Sequence, residues 1–460
     1  MAGIGFQLRK IIGRGNLYET IGALVSGVFI VAGPWLISVV AMVILQGAFS
    51  REAIADIQVF QAVVVYCYAF SLSLFSALHH HFTRIIADLV WESRHGEAAS
   101  WMLRFLLLAG VLSLGLAIPA AYFIPLELDR YQNLFKIGMV LLFLFINLLW
   151  IIMLFISLLK RYSTILIVFV AGMGLSVLGS PMLASAFGVT GALLGYTAGI
   201  VLIDVIFLVI ALIRYRPVQL GTSRQLFWKY LLRYSPLITA GFFFYAGQWL
   251  DKLYFWFFQG QKVPGIGLFM FPNYDYAVYV AGLSIIPGLV YFVIIAETQI
   301  YVDTRHFLYT LTHSPWMRIQ EAKQSLLQSL QDELRDQSLL QGFCSLAFAF
   351  ILFHFGPDTL KSAVMAFALG AAFFQFTLMT ILVFLYYFEL YRQAMGTALL
   401  YFVLNGPVMG LFYELIPNLY PGAGHLIAGS LACLWGFQSL RNSTRRIEKI
   451  LFMRALGMKV

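Results

Sequence analysis

The run Ile21–Leu45, IGALVSGVFIVAGPWLISVVAMVIL, holds 25 residues and no charge. At 1.5 Å per residue such a helix is long enough to cross a hydrocarbon core of about 30 Å. The basic segment MAGIGFQLRKIIGRG precedes it. The run is too long for a signal-peptide core and lacks an A-x-A cleavage site, so it reads as a retained first span. Gly33, Pro34 and Trp35 stand at its centre. A proline there removes one helical hydrogen bond and kinks the helix, and in lipid the freed carbonyl must find protein or water. A first helix broken beside Trp35 is either a packing kink or a wall of a pathway.

The rest of the chain has the same character. Of 460 residues, 61% are hydrophobic and 11% charged, against about 25% charged in soluble domains. The composition is that of an all-α polytopic membrane protein without a separate soluble domain. Twelve spans are expected, at about 17–47, 55–82, 99–125, 135–159, 163–187, 189–213, 234–258, 276–298, 340–355, 361–388, 396–416 and 422–440. The ninth is short. With a cytoplasmic N-terminus, 24 of the 30 lysines and arginines lie on the cytoplasmic side and 5 on the other, with Lys252 inside a span. This asymmetry accounts for the net charge of +9 without a nucleic-acid partner. It puts both termini in the cytoplasm.

The spans divide as six plus six. Residues 1–213 form an N-terminal lobe with an amphipathic arm, 214–233 a basic cytoplasmic link, 234–440 a C-terminal lobe, and 441–460 a basic tail. Pro34 and Pro236 lie six spans apart, as do Pro181 and Pro407, and these mark candidate kinks; Pro287 has no counterpart. Two such halves, related by an axis along the membrane normal, place a substrate route at their interface.

Two segments read as amphipathic. In the N-terminal arm Ile4, Leu8, Ile11 and Ile12 share a face, away from Arg9, Lys10 and Arg14, which suits an anionic leaflet. The longest loop, 299–340, is expected in the cytoplasm. Within it Ile319, Leu326, Leu330 and Leu334 recur at helical spacing. They either pack on the bundle or dock a cytoplasmic partner; the net acidic composition of 320–341 suits an anionic leaflet poorly and favours the partner.

Polar residues at membrane depth are the candidate pathway residues, because each lone charge there costs about 2.5–3.5 kcal/mol. Asp204 lies in span six. Asp251 and Lys252 lie in span seven, within YAGQWLDKLYFWFF, beside Tyr245, Gln248 and Trp249. Adjacent helical residues point about 100° apart, so the two charges need not pair with each other. Aromatic rings with amide and carboxylate groups suit a sugar route; a satisfied ion pair is the alternative. Asn147 and Asn405 lie mid-span, where asparagine commonly bonds between helices.

His79, His80 and His81 are consecutive and diverge around a helix, so they do not suit one metal ion. Cys67, Cys344 and Cys433 form no C-x-x-C pair and read as core filler. There is no P-loop, dinucleotide fingerprint or nucleophile elbow. The sequence therefore points to neither an enzyme nor a bound cofactor or metal.

The opening MAGIGFQLRK, the GPW triplet and the charged exit of span two, HFTRIIADLVWE, resemble the membrane transporters of Pel exopolysaccharide biosynthesis. These belong to the multidrug/oligosaccharidyl-lipid/polysaccharide flippase superfamily. The resemblance implies two six-helix lobes around a central cavity. It implies a polysaccharide substrate rich in N-acetylgalactosamine. The implied partners are a cytoplasmic UDP-sugar glycosyltransferase, a cyclic-di-GMP receptor and a further membrane subunit. A lipid-linked oligosaccharide flippase, a cation-coupled exporter and a non-transporting scaffold are the rival readings. The flippase needs more cations than Lys252 supplies, and the exporter lacks a carboxylate in span one.

Overall fold

A computed structural model describes residues 17–51, 57–128, 130–159, 162–218, 223–356, 362–416 and 418–455. The N-terminal amphipathic arm lies outside them. The described residues are all-α apart from one hairpin of two-residue strands. The first half contains α1 (Leu17–Arg51), α2 (Ile57–Trp91), α3 (His95–Phe123), α4 (Gln132–Leu158) and α5 (Tyr162–Arg214). Then come α6 (Ser223–Arg233), α7 (Ser235–Tyr254), a π turn over Phe255–Gln259, β1 (Gln261–Lys262) and β2 (Phe269–Met270). The second half contains α8 (Pro272–Leu283), α9 (Ile286–Tyr291), a π turn over Phe292–Ala296, α10 (Glu297–His313) and α11 (Trp316–Phe355). It closes with α12 (Ala363–Tyr387), α13 (Tyr391–Val403), a π turn over Leu404–Val408, α14 (Met409–Leu415), α15 (Ala423–Thr444) and α16 (Ile447–Ala455).

Nine helical stretches among the described residues are long and apolar enough to cross a bilayer. One of them, α5, is two antiparallel arms joined at Gly188, whose φ of 59° and ψ of −143° break the helix. That is the expected boundary between spans five and six. The two arms meet along glycine and serine. A Cβ on Gly191 would overlap the Leu183 carbonyl, one on Gly195 would lie 2.5 Å from Ser180 Cα, and one on Gly199 would overlap Ser176. Small residues four apart let membrane helices approach backbone to backbone. Counting both arms, and adding α7 with 20 residues and α15 with 22, recovers twelve crossings.

Two expectations change. Helix α1 runs unbroken through Pro34, with Ser38 Oγ donating to the Pro34 carbonyl at 2.9 Å. The segment 299–340 is not a loop. Helix α11 continues from Trp316 through the expected ninth span to Phe355, 40 residues or about 60 Å. That is roughly twice the hydrocarbon thickness, so half of it stands clear of the core. The leucine spacing of 319–334 and the apolar run of 340–355 are two parts of one helix.

The chain forms two compact units, residues 32–271 and residues 1–31 with 272–460. The expected partition at 213/234 is drawn differently, because α7 packs with α2 in the first unit. That unit is built around Phe60, Phe82, Phe105, Phe135, Phe155 and Phe207, all buried. In it, Ser71 Oγ donates to Asn147 Oδ1 at 2.9 Å, joining α2 to α4. The hairpin β1–β2 pairs Gln261 with Met270 and Lys262 with Phe269. It is tied to the α3–α4 connection by Glu127 N–H to Gly265 O, 2.9 Å, and Gly267 N–H to Pro125 O, 2.8 Å. In the second unit a ladder of buried amides holds α11. Gln337 Nε2 donates to Thr380 Oγ1 at 2.6 Å, and Gln341 Nε2 to the Ser284 carbonyl at 3.0 Å.

Candidate functional site

The candidate site grows from the contact of α7 with α2. Gly241 permits it: a Cβ there would overlap the His80 ring. One turn later Tyr245 lies with its ring 6.1 Å from His80. His80 Nδ1 is 2.8 Å from the Ser76 carbonyl, which only accepts, so Nδ1 carries the hydrogen. The three consecutive histidines diverge. His79 faces Trp150, His80 faces Tyr245 and His81 faces Phe227.

Asp251 and Lys252 pair with each other after all. Lys252 Nζ donates to Asp251 Oδ1 at 3.1 Å and to the Gln248 carbonyl at 2.7 Å. It lies 6.0 Å from the Trp249 ring. The angular separation of neighbours on a helix is overcome by the lysine's four-carbon stem, which curls back one turn to the carbonyl of residue i−4. Asp251 is 1% exposed and Lys252 6%. The carboxylate is therefore closed off, and the more accessible groups of this stretch are the half-buried Tyr245, Gln248 and Trp249.

Beyond α7 the helix widens into the π turn. Trp256 stacks on Tyr66 at 4.6 Å and 18° and lies 6.1 Å from Trp249. Tyr66 in turn donates to the Phe269 carbonyl at 2.7 Å and fixes β2. Sequence reading missed Tyr66 because the partner of α7 was unknown. Trp256 was visible only as one more ring in an aromatic run.

The eight expected pathway residues fall on four elements. Tyr245, Gln248, Trp249, Asp251 and Lys252 adjoin on α7. Trp35 is 41% exposed on α1. Asp204 is buried on the second arm of α5, and neither carboxylate oxygen has a hydrogen-bond partner among the described residues. The nearby Tyr68 hydroxyl lies 3.2 Å from that of Tyr196. Asn405 belongs to the second unit, buried in the π turn that holds Pro407. In the same unit Tyr401 and His425 share a buried 2.7 Å hydrogen bond, a pairing across 24 residues that no helical spacing announces.

The expected kinks fare unequally. Gly33 is buried, its missing side chain leaving 2.9 Å to Leu166 Cδ1. Pro181 lies within the first arm of α5, and the break comes seven residues later at Gly188. Pro236 sits in the first turn of α7, where a proline interrupts no helical bond, so it starts the helix rather than kinking it. Pro407 does distort its helix, into the π turn.

The docking stripe is corrected as well. Ile319, Leu326, Leu330 and Leu334 are between 2% and 6% exposed. Leu330 and Leu334 line a small cavity with Phe437, Leu440 and Thr444 of α15. Lys323 Nζ binds Glu448 Oε1 of α16 at 2.6 Å. The stripe is buried within the second unit, Leu330 and Leu334 against α15, and is not open to a partner.

Comparison with solved structures gives one fold. An outward-facing multidrug resistance MATE family transporter of the MOP superfamily superposes with a TM-score of 0.57 at 12% identity, over 92% of this chain and 96% of the other. An inward-facing one gives 0.53 at 14%, over 97% and 99%. A MOP superfamily transporter from Pyrococcus furiosus, in work reporting a reversed polarity of its binding pocket, gives 0.55 at 13%, over 92% and 96%. No curated protein matches. Residues 1–452 match the family PelG, "Putative exopolysaccharide Exporter (EPS-E)". A multi-pass chain with a transporter fold, aromatic rings gathered at membrane depth and a family match over nearly its whole length is a transporter rather than an enzyme, and it belongs to the PelG family.

Proposed function

We infer that this chain carries a Pel-type, N-acetylgalactosamine-rich polysaccharide from the cytoplasm to the periplasm across the bacterial inner membrane. A cytoplasmic UDP-sugar glycosyltransferase delivers the growing polymer. A cyclic-di-GMP receptor and a further membrane subunit complete the assembly. One observation carries the reading. Lys252 is matched by Asp251, so the α7 surface offers rings and an amide without net charge. Such a surface suits a neutral sugar chain, whose apolar faces stack on Tyr245 and Trp249 and whose hydroxyls meet Gln248. A lipid-linked pyrophosphate needs cations that this surface lacks. In sealed inverted vesicles holding the whole assembly, UDP-sugar supplied outside should yield polymer protected from an added glycosidase. Trp249→Ala should lower that protected fraction while leaving chain abundance intact. Polymer that stays fully digestible with the unaltered chain present would refute transport.

A second reading, cation-coupled export, is favoured by Asp204 alone. A buried carboxylate without a hydrogen-bond partner is costly when charged and suits a proton-binding group. If coupling runs through it, Asp204→Asn abolishes the response of export to an imposed pH gradient. A response unchanged in that variant removes this reading.

A further inference from the structure

Helix α6 presents a second face that the transport reading does not use. Gln225, Trp228, Lys229, Leu232 and Arg233 are exposed, at positions i, i+3, i+4, i+7 and i+8, so they form one stripe. Trp228 is 51% and Leu232 73% exposed. The opposite face is fastened down. Phe227 lies 4.5 Å from the His81 ring, and Tyr230 donates to Asp88 Oδ2 at 2.8 Å. At the helix end Arg84 Nη2 donates to the Tyr234 hydroxyl at 3.0 Å. The orientation of the stripe is therefore set by the packed face.

The level of α6 is also set. It packs where α2 carries His81, Arg84 and Asp88, close to its end at Trp91. Helix α7 enters the membrane directly after Tyr234. With 35 residues, or about 52 Å, α2 overruns the hydrocarbon core, and its charged end marks the headgroup region. An exposed tryptophan and leucine one turn apart are disfavoured in water, and Trp beside Lys and Arg is the composition of an interfacial helix. The charge completes the match. Residues 214–233 contain five basic and no acidic residues. Among the described residues neither Lys229 nor Arg233 has a carboxylate partner; Arg233 instead lies over the Tyr234 ring at 5.4 Å.

We propose that the outer face of α6 is a binding site for anionic phospholipid. Trp228 and Leu232 sit at the boundary of headgroup and acyl chain, and Lys229 and Arg233 hold the lipid phosphate. The site draws its ligand from the surrounding leaflet and does not depend on which sugar is carried.

The test uses the full chain with Cys67, Cys344 and Cys433 replaced. A fluorophore is placed at Gln225→Cys, on the same stripe but outside both pairs. The labelled protein is held in nanodiscs of phosphatidylcholine and phosphatidylglycerol, with bromine on one lipid or the other. Brominated phosphatidylglycerol should quench more strongly than brominated phosphatidylcholine at equal content. At about 1 kcal/mol per basic residue near a membrane surface, Lys229→Gln with Arg233→Gln should reduce the anionic preference roughly thirtyfold. A label at Glu92→Cys, in the turn that follows α2, reports that the variant remains folded through an unchanged emission spectrum. Inorganic phosphate should leave the quenching unaltered. Equal quenching by the two lipids, or none by either, would overturn the proposal; in the second case the face lies in water, open to a protein or to the polymer.

Discussion

Lys252 Nζ lies 3.1 Å from Asp251 Oδ1, so two chain neighbours neutralise each other inside the first unit. Removing one member leaves the other buried and charged, at a cost of about 3–5 kcal/mol. Asp251→Asn should therefore lower thermal stability in detergent and the amount of protein in the membrane. Asp251→Asn with Lys252→Met removes both charges and should recover most of the loss. A double variant as unstable as the single one would show that the pair is not the source.

The α5 arms offer an internally controlled measurement. Gly195→Ala forces a methyl group against the Ser180 backbone and should cost roughly 1–3 kcal/mol. Gly174 lies in the same helix with open space around its Cα. Gly174→Ala should be neutral or gain up to about 1 kcal/mol from helix propensity. Equal melting shifts for the two variants would contradict the close approach of the arms.

Leu330→Glu or Leu334→Glu should act on the chain itself. Each puts a carboxylate into a cavity walled by Phe437, Leu440 and Thr444, and desolvating it costs several kcal/mol, which Arg441 and Arg445 at the same cavity offset only in part. The expected result is loss of folded protein in a strain that lacks every other polysaccharide-synthesis component. Normal abundance there, with a defect only when partners are present, would restore the docking role first expected of these leucines.

Orientation follows from the basic residues. On a cysteine-free background, Ser329→Cys on α11 should be protected from a membrane-impermeant thiol reagent in intact cells and labelled after disruption. Lys262→Cys on β1 should label in intact cells. The opposite pattern would invert the topology.

Much of the fold was legible because bilayer thickness imposes a length on each crossing. The boundary at 188 was readable because glycine interrupts two apolar runs of adequate length. The continuity of α11 was not. A polarity change at 340 looks the same whether a helix ends there or merely leaves the lipid, and only packing from α15 and α16 decides. The site was half legible. Rings and charges on α7 announce themselves by their rarity at membrane depth. Their partners Tyr66 and His80 sit far away in sequence, in a helix rich in ordinary aromatics. The Asp251–Lys252 pair was one of two readings left open, because backbone angles alone do not decide it and the reach of the lysine side chain does.

Helix α11 has a mechanical consequence. It carries no proline, glycine hinge or π turn from Trp316 to Gln341, and the glutamine ladder grips its buried half. From the gripped glutamines to Trp316 the rod runs about 35 Å, so a tilt of about 5° at the grip displaces that end by about 3 Å. The salt bridge from Lys323 to Glu448 lies on the far half, so α16 travels with that displacement rather than damping it. Any rotation at the grip is thereby passed on, enlarged, to the end of α11 that stands outside the bilayer.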